Sequence, residues 1–379
     1  MIEVRSVETK KQLLEFVKFP NSLYADNPYF VPFLISDELK LLDSKTSSAS
    51  AHCKTRFFLA YKDAKIVGRV GCIINKLYNQ KIGKKQLRFT RFDVIDDLEV
   101  SKALFAKVRL FAKQTRSQEI VGPIGFSDTD HQGMLVDGYD QMSLCITNYN
   151  FSYYKEHLES LGFKKEIDWV EYKISIPEKP TERIQKIFDL EDKIIKKGKY
   201  ALRRFKNQRE INKMLPTAIK IMDEAYEHLY GYVPLNNKQI KEIIANFKVI
   251  LKPEFVFVVE LKESKEVVGY GFIAPNLSKG FKKANGKLLP FGIFHLLHDI
   301  KHYDTIDFYS IGIKKQHQKL GANILIIAEG LKFAINNKVK YAETGPELET
   351  NLEVQAQWKD FEKVLHKRRR LYIKKDLYF

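Results

Sequence analysis

The stretch Ser310-Ile-Gly-Ile-Lys-Lys-Gln-His-Gln-Lys-Leu-Gly-Ala-Asn323 decides how the rest of the chain is read. Residues 309–313 are short, apolar and rich in isoleucine, the composition of a strand. Residues 324–335 carry apolar side chains at helical spacing. Between them lies a turn with several cations and one glycine, Gly321. A strand that turns into a helix leaves the first helical N–H groups unpartnered and partly positive. Such a turn is an anion site of the kind that holds a phosphate.

Working outward from this turn, the chain repeats its own punctuation. Val67-Gly-Arg-Val-Gly-Cys-Ile-Ile-Asn75 aligns without a gap on Val268-Gly-Tyr-Gly-Phe-Ile-Ala-Pro-Asn276. Val4-Arg-Ser-Val7 is matched by Leu202-Arg-Arg-Phe205. Tyr29-Phe-Val-Pro-Phe33 is echoed by Tyr230-Gly-Tyr-Val-Pro-Leu235, and Ile120-Val-Gly-Pro123 by Glu343-Thr-Gly-Pro346. Matches in one order predict two copies of an α/β unit, residues 1–177 and 199–379, joined by a linker at 178–198 that is mostly helical.

The copies differ at the turn. Leu98 stands as far before Gly122 as Gly321 stands before Gly345, and it lies within Asp96-Asp-Leu-Glu99. Carboxylates repel a pyrophosphate, and without glycine the backbone approaches it less easily. Asp96 or Asp97 reads instead as an N-cap of the helix that follows. The expectation is that the second copy alone holds a phosphorylated cofactor and that the first serves substrate binding or scaffolding.

Bulk properties narrow the class. The net charge of +17 points to a polyanionic partner: nucleic acid, an anionic membrane surface or a phosphorylated cofactor. A solvated lysine-rich surface is the plainer account of the same number. Cys53, Cys72 and Cys145 show no metal-type spacing and fit a reducing compartment. No N-terminal leader and no membrane-length apolar run is visible, so the chain reads as cytoplasmic.

The second copy also carries extra residues around 278–302. Leu288, Leu289, Phe291, Ile293, Phe294, Leu296, Leu297 and Ile300 are flanked by Lys279, Lys282, Lys283, Lys287 and Lys301. This composition suits an interfacial helix on an anionic membrane, an acyl-chain lid, or a helical hairpin packed on its own domain. His295, His298 and His302 share a helical face, but no carboxylate set completes a metal site, and no metal is expected.

Gln318, Gly321 and Asn323 fall on Gln/Arg-x-x-Gly-x-Gly/Ala, a pattern that resembles the pyrophosphate loop of the GNAT acyltransferase superfamily. Asn323 departs from it at the last position. The resemblance implies an α/β (α+β) fold of two tandem GNAT-like domains, each a mixed, mostly antiparallel sheet with helices on both faces. It implies acyl-CoA as co-substrate, held by Gln318, Lys319, Leu320, Gly321, Ala322 and Asn323, with Ile311, Ile313 and Asn351 alongside. It implies direct attack of an amine on the thioester, a base that takes the proton and an acid that returns one to the thiolate.

Many members of the superfamily use a tyrosine within Asn-x-x-Ala-x-x-x-Tyr as that acid. Here Asn351 and Val354 fit the first positions and Trp358 stands in the place of the tyrosine, so the acid is absent, replaced or unnecessary. Glu343 is the first candidate base, followed by Tyr309 and His295; Glu347 and Glu349 are placed to orient an amine. Tyr230 and Tyr232, and Phe291 and Phe294 on the insertion, are the candidate substrate contacts.

Phe89-Thr-Arg-Phe-Asp93, Gly122-Pro-Ile-Gly-Phe-Ser127, Gly133-Met-Leu-Val-Asp-Gly-Tyr139 and Trp169-Val-Glu-Tyr172 extend the likeness. They resemble the tandem GNAT proteins that include the bacterial ceramide synthases, which implies a lipid amine such as a sphingoid base as acceptor. Acetylation of a small soluble amine and a non-catalytic lipid or acyl-CoA sensor are the alternatives. The positive charge would also suit the tRNA of the aminoacyl transferases with this fold, but those lack such a loop, and nucleic acid is not expected.

Overall fold

A computed structural model describes residues 1–127, 130–247, 251–359 and 361–377. The first half runs β1 (Ile2–Ser6), α1 (Lys10–Leu23), α2 (Ile35–Leu42), β2 (Cys53–Lys62), β3 (Lys65–Asn75), α3 (Lys76–Ile82) and β4 (Gln86–Val94). It continues through α4 (Leu98–Gln114), β5 (Glu119–Gly122), β6 (Met134–Asp137), α5 (Tyr153–Ser160) and β7 (Lys164–Ser175). A connecting helix, α6 (Glu182–Lys196), leads into the second half. There β8 (Tyr200–Arg203), α7 (Gln208–Tyr226), α8 (Asn237–Phe247), β9 (Val256–Leu261) and β10 (Val267–Pro275) precede the insertion, α9 (Ser278–Ala284) and α10 (Gly292–Lys301). The chain ends with β11 (Thr305–Ile313), α11 (Ala322–Asn336), β12 (Tyr341–Thr344), β13 (Glu347–Leu348), α12 (Leu352–Gln355) and β14 (Lys363–Lys374).

The strands form one continuous sheet in the order β1-β2-β3-β4-β5-β14-β7-β12-β11-β10-β9-β8. The last strands of the two halves are exchanged: β14 lies between β5 and β7, and β7 pairs with β12. Val170 of β7 and Leu371, Tyr372 and Ile373 of β14 are buried, while Val364 and Leu365 at the start of β14 are exposed. Phe89, Leu104, Val108 and Ile120 centre the core of the first half; Phe257, Val268, Ile306 and Leu325 centre that of the second.

Local chemistry sets the turns that matter. Asp97 caps α4 by accepting the Glu99 N–H at 3.0 Å, so the acidic turn of the first half has a structural use. At the equivalent point of the second half Gly321 caps α11 in the left-handed region, with φ 96°. A Cβ there would lie 2.7 Å from Ile194 Cδ1 of α6, so this position is held for glycine by both backbone and packing.

The exchanged strands bury charge. Lys367 and Arg369 of β14 and Glu171 of β7 have fully buried side chains. Lys367 lies 3.2 Å from Glu171 and 3.2 Å from Glu343 of β12, and Arg369 pairs with Glu171 directly. Arg369 and Lys367 together hold the Glu171 carboxyl well below the usual range despite its burial. Such a cluster fixes register: sliding β14 by one residue would leave uncompensated charges inside the protein.

Candidate active site in the splay between β11 and β12

β12 pairs with β11 only over Thr305–Phe308, whereas β10 accompanies β11 to Ile313. The last link is Gly345 N–H to the Phe308 carbonyl at 3.3 Å. Beyond it the strands part, because residues 345–348 follow β7 instead: Glu347 lies opposite Val170 and Leu348 opposite Trp169. A cavity of about 440 Å³ occupies the gap. Tyr309, Ser310 and Ile311 line one side of it, and Gly345, Pro346 and Glu347 the other. Most of the remaining lining is apolar, with Met214, Ile219, Ile243 and Leu251 toward α7 and α8, and Ile326, Leu331 and Phe361 toward α11. Gln132, Thr147 and Trp169 of the first half close one side.

Two carboxylates line this gap: Asp130, paired with Arg91 at 2.8 Å, and Glu347. The Glu347 Oε1 accepts the indole Nε1–H of Trp358 at 2.7 Å, and its buried Oε2 has no partner. Burial pushes the carboxyl up to about 7, with the Trp358 hydrogen bond pulling the other way. A carboxyl near neutral titration on a cavity wall, with one oxygen fixed by Trp358 and the other buried without a partner, is a candidate general base. Trp358 also stacks on Phe308 of β11 at 4.9 Å between centroids. Through these two contacts Trp358 positions Glu347.

Glu343, the first candidate from the sequence, sits one strand position away from the gap. It accepts from Lys367 Nζ at 3.2 Å and does not line the cavity. His366 lies 3.7 Å from it, a distance that would make an ion pair only for a charged imidazole. Burial, then the charge of Lys367, lowers His366 to about 3, so this ring is neutral and the contact is not an ion pair. Beside Glu343 in register stands Asp307 of β11, which accepts from Asn276 Nδ2 at 2.8 Å. Burial, reinforced by the negative charge of Glu343, raises Asp307 to about 8. Asp307 is not among the candidates from sequence, although a lone carboxylate in the apolar run Ile306-Asp-Phe-Tyr309 is a signal.

Tyr309 does line the cavity. Its hydroxyl is 3.5 Å from Cys145 Sγ, and burial holds it well above the ordinary phenol range, so it stays protonated. Tyr230 lines the cavity with a buried hydroxyl; burial pushes it up beyond the usual range, with a contact to Gln86 pulling the other way. Tyr232 does not: it is buried and donates to Asp223. Two residues unforeseen from sequence, Tyr226 and Tyr270, meet at Ser310 Oγ, 3.1 and 2.7 Å away, and form a hydroxyl cluster on the cavity wall. His295 lies on α10 away from the lining, and Phe291 and Phe294 point outward, 73 % and 63 % exposed.

At the far end of β11 the loop 314–321 leads into α11. Gln318 Nε2 donates to the Ile313 carbonyl at 3.2 Å, which orients the loop. Of the first-turn N–H groups, that of Ile324 donates to the Gly321 carbonyl at 3.0 Å, and those of Ala322 and Asn323 have no acceptor within the helix. Lys319 and Leu320 are exposed, Ala322 is buried and Asn323 half-buried. Asn351 caps α12 through the Val354 N–H and lines the cavity. Glu224 of α7 accepts the Lys315 N–H at 2.7 Å, so a carboxylate already uses one amide of the loop. Lys319 pairs with Glu353 at 3.0 Å on the surface.

The donor set fits a pyrophosphate: glycine in the left-handed region, the Ala322 and Asn323 N–H groups, and Lys314, Lys315 and Lys319, each of which has a carboxylate partner. Among the described residues no cluster of His, Cys, Asp and Glu is arranged to hold a metal ion.

Comparison with known proteins agrees with this architecture. No family model matches the chain. Protein YghO of Escherichia coli (strain K12) is 27 % identical across 98 % of this chain and 95 % of its own length. The bacterial ceramide synthase of Caulobacter vibrioides is 25 % identical across 84 % of this chain and 82 % of its own length. A tandem GNAT protein from the clavulanic acid biosynthesis pathway superposes with a TM-score of 0.54 at 11 % identity, covering 99 % of this chain and 98 % of that one. A GCN5-related N-acetyltransferase from Sphaerobacter thermophilus gives 0.50 at 10 % identity, over 98 % and 95 % of the two chains. The chain therefore has the tandem GNAT fold. In sequence it resembles both YghO and the Caulobacter ceramide synthase.

Proposed function

We propose that this chain is an acyl-CoA-dependent N-acyltransferase whose acceptor is a lipid amine, in the manner of a ceramide synthase. The pyrophosphate of the donor lies on the loop 318–323 and its thioester in the gap between β11 and β12. The amine nitrogen attacks the thioester carbonyl, Glu347 Oε2 takes the amine proton, the C–S bond breaks, and the thiolate leaves with a proton from Tyr309 or solvent. The first half, without a phosphate loop, supplies scaffold and part of the acceptor wall.

One observation carries the reading: a buried carboxyl near neutral titration, fixed by Trp358 and with its second oxygen unpartnered, on the wall of the cavity where the strands part. The long apolar walls favour hydrocarbon on donor, acceptor or both over a small soluble amine. The unpaired cysteines suit the reducing cytoplasm.

Purified protein incubated with acetyl-CoA or palmitoyl-CoA, and with sphinganine or a short soluble amine, tests this through free thiol and product mass. Thiol release with palmitoyl-CoA and sphinganine, giving the amide, is expected. Turnover confined to acetyl-CoA and the short amine would replace the lipid reading with small-amine acetylation.

A further inference from the structure

The insertion presents two different faces. Inward, Leu296 and Ile300 of α10, with Phe281 and Leu288, pack on Phe272 and Tyr309. Phe272 and Tyr309 also line the catalytic cavity, so the insertion is the wall behind it. The insertion is also tied to the first half: Lys282 Nζ donates to the Asn27 carbonyl at 2.8 Å, and the Ile35 N–H donates to the Gly286 carbonyl at 2.9 Å. It is thus a fixed surface and not a swinging lid.

Outward, four large apolar side chains are bare. Leu289 is 75 % exposed, Phe291 73 %, Phe294 63 % and Leu297 40 %. Scattered exposed leucines need no explanation, but four within nine consecutive residues (289–297) make a patch. Exposed Lys279, Lys283, Lys287 and Lys301 belong to the same insertion. Asp299, the acid within α10, is turned inward onto the Gly280 N–H. Apolar side chains with lysines around them and the nearby carboxylate withdrawn match a surface of hydrocarbon beneath negative headgroups. A protein partner would require only the apolar part.

We infer that residues 278–302 dock the protein on an anionic bilayer, with Leu289, Phe291, Phe294 and Leu297 entering the headgroup region and the lysines meeting lipid phosphates. No helix among the described residues is long and apolar enough to cross a membrane, so the attachment is peripheral. Docked this way, the cavity wall formed by Phe272 and Tyr309 stands one helix layer from the lipid. The inference rests on the surface alone and does not need the proposed chemistry: vesicle binding and thiol release can fail separately.

Flotation of the full chain with phosphatidylglycerol–phosphatidylcholine vesicles, against phosphatidylcholine alone, tests it. Binding to the anionic vesicles is expected to exceed binding to the neutral ones by about tenfold or more and to fall with salt. The variant Leu289→Ser/Phe291→Ser/Phe294→Ser, shown to be folded by its melting curve, is expected to lose most of that binding. Replacing Lys283 and Lys287 by Glu should lose it too. Equal flotation with neutral vesicles, no flotation at all, or full binding by the serine variant would overturn the inference. So would a wild-type dimer in solution that the serine variant dissolves, because a second copy would then cover the patch.

Discussion

Trp358 donates its indole N–H to Glu347 across 2.7 Å while its ring stacks on Phe308, tying the cavity carboxyl of one splayed strand to the other. The contact lowers the Glu347 pKa against a burial effect that raises it. Trp358→Phe keeps the stacking and removes the donor. One hydrogen bond of this kind is worth about 1 kcal/mol, or roughly 0.7 of a pH unit. The acidic limb of the rate profile is expected to move up by about that much, with most activity recovered at high pH. A uniform loss at every pH would mean that Trp358 only packs.

Asp307 gives a stability signature of opposite sign to an ordinary salt-bridged carboxylate. Its pKa is raised from 3.8 to about 8, so the folded chain keeps a proton that the unfolded chain has lost across that interval. Stability therefore falls as pH rises from about 4 to about 8 and is flat on either side. Asp307→Asn keeps the Asn276 contact and removes the charge, and it should flatten this part of the profile. At alkaline pH the gain is on the order of a few kcal/mol by chemical denaturation. A variant less stable than wild type at pH 9 would show that Asp307 is ionised and paired.

The loop makes two opposed expectations for coenzyme A. Gly321→Ala forces a side chain into the left-handed region against Ile194, costing about 1–2 kcal/mol and weakening binding. Glu224→Gln removes a negative charge from the Lys315 amide, and coenzyme A should bind about two- to fivefold tighter. Leu98→Ala, in the corresponding turn of the first half, should leave binding unchanged. Isothermal titration distinguishes the three; equal effects at Leu98 and Gly321 would refute the asymmetry of the halves.

Strand exchange bears on dissection of the chain. A fragment of residues 1–177 lacks β14, so β5 and β7 lose their shared partner and Glu171 is left buried without Arg369 and Lys367. Leaving a buried charge unpaired costs about 3–5 kcal/mol, a large part of a domain's stability. We expect neither half to be soluble alone and co-expression to restore both. A monomeric, cooperatively melting fragment of 1–177 would contradict this.

Much of the fold was legible because repetition is visible without structure. The gap-free match of residues 67–75 with 268–276, and the strand–glycine–helix pattern at 310–323, were sufficient for a duplicated GNAT unit. The exchange of β7 and β14 was not legible, since strand partners across the halves leave no local pattern. The site was legible only in outline. Glu343 and Glu347 are both carboxylates near a strand end, and only the pairing of β13 with β7 turns Glu347 into the gap while Lys367 occupies Glu343. Trp358 read as a lost acid because its partner is remote in function, not in sequence. The outward turn of Phe291 and Phe294 depends on which face of α10 meets β10 and β11, and amphipathic spacing alone leaves that open.

The central claim is that Glu347 is the base of an acyl transfer in this cavity. Its most direct test is the pH dependence of free thiol released from palmitoyl-CoA with sphinganine, in wild type and Glu347→Gln. Wild type should show rates that rise through a pKa of about 7 and then level. The glutamine variant should lose about 10²–10⁴-fold and the limb with it. Wild-type rates in Glu347→Gln, or a limb that survives the substitution, would contradict the account.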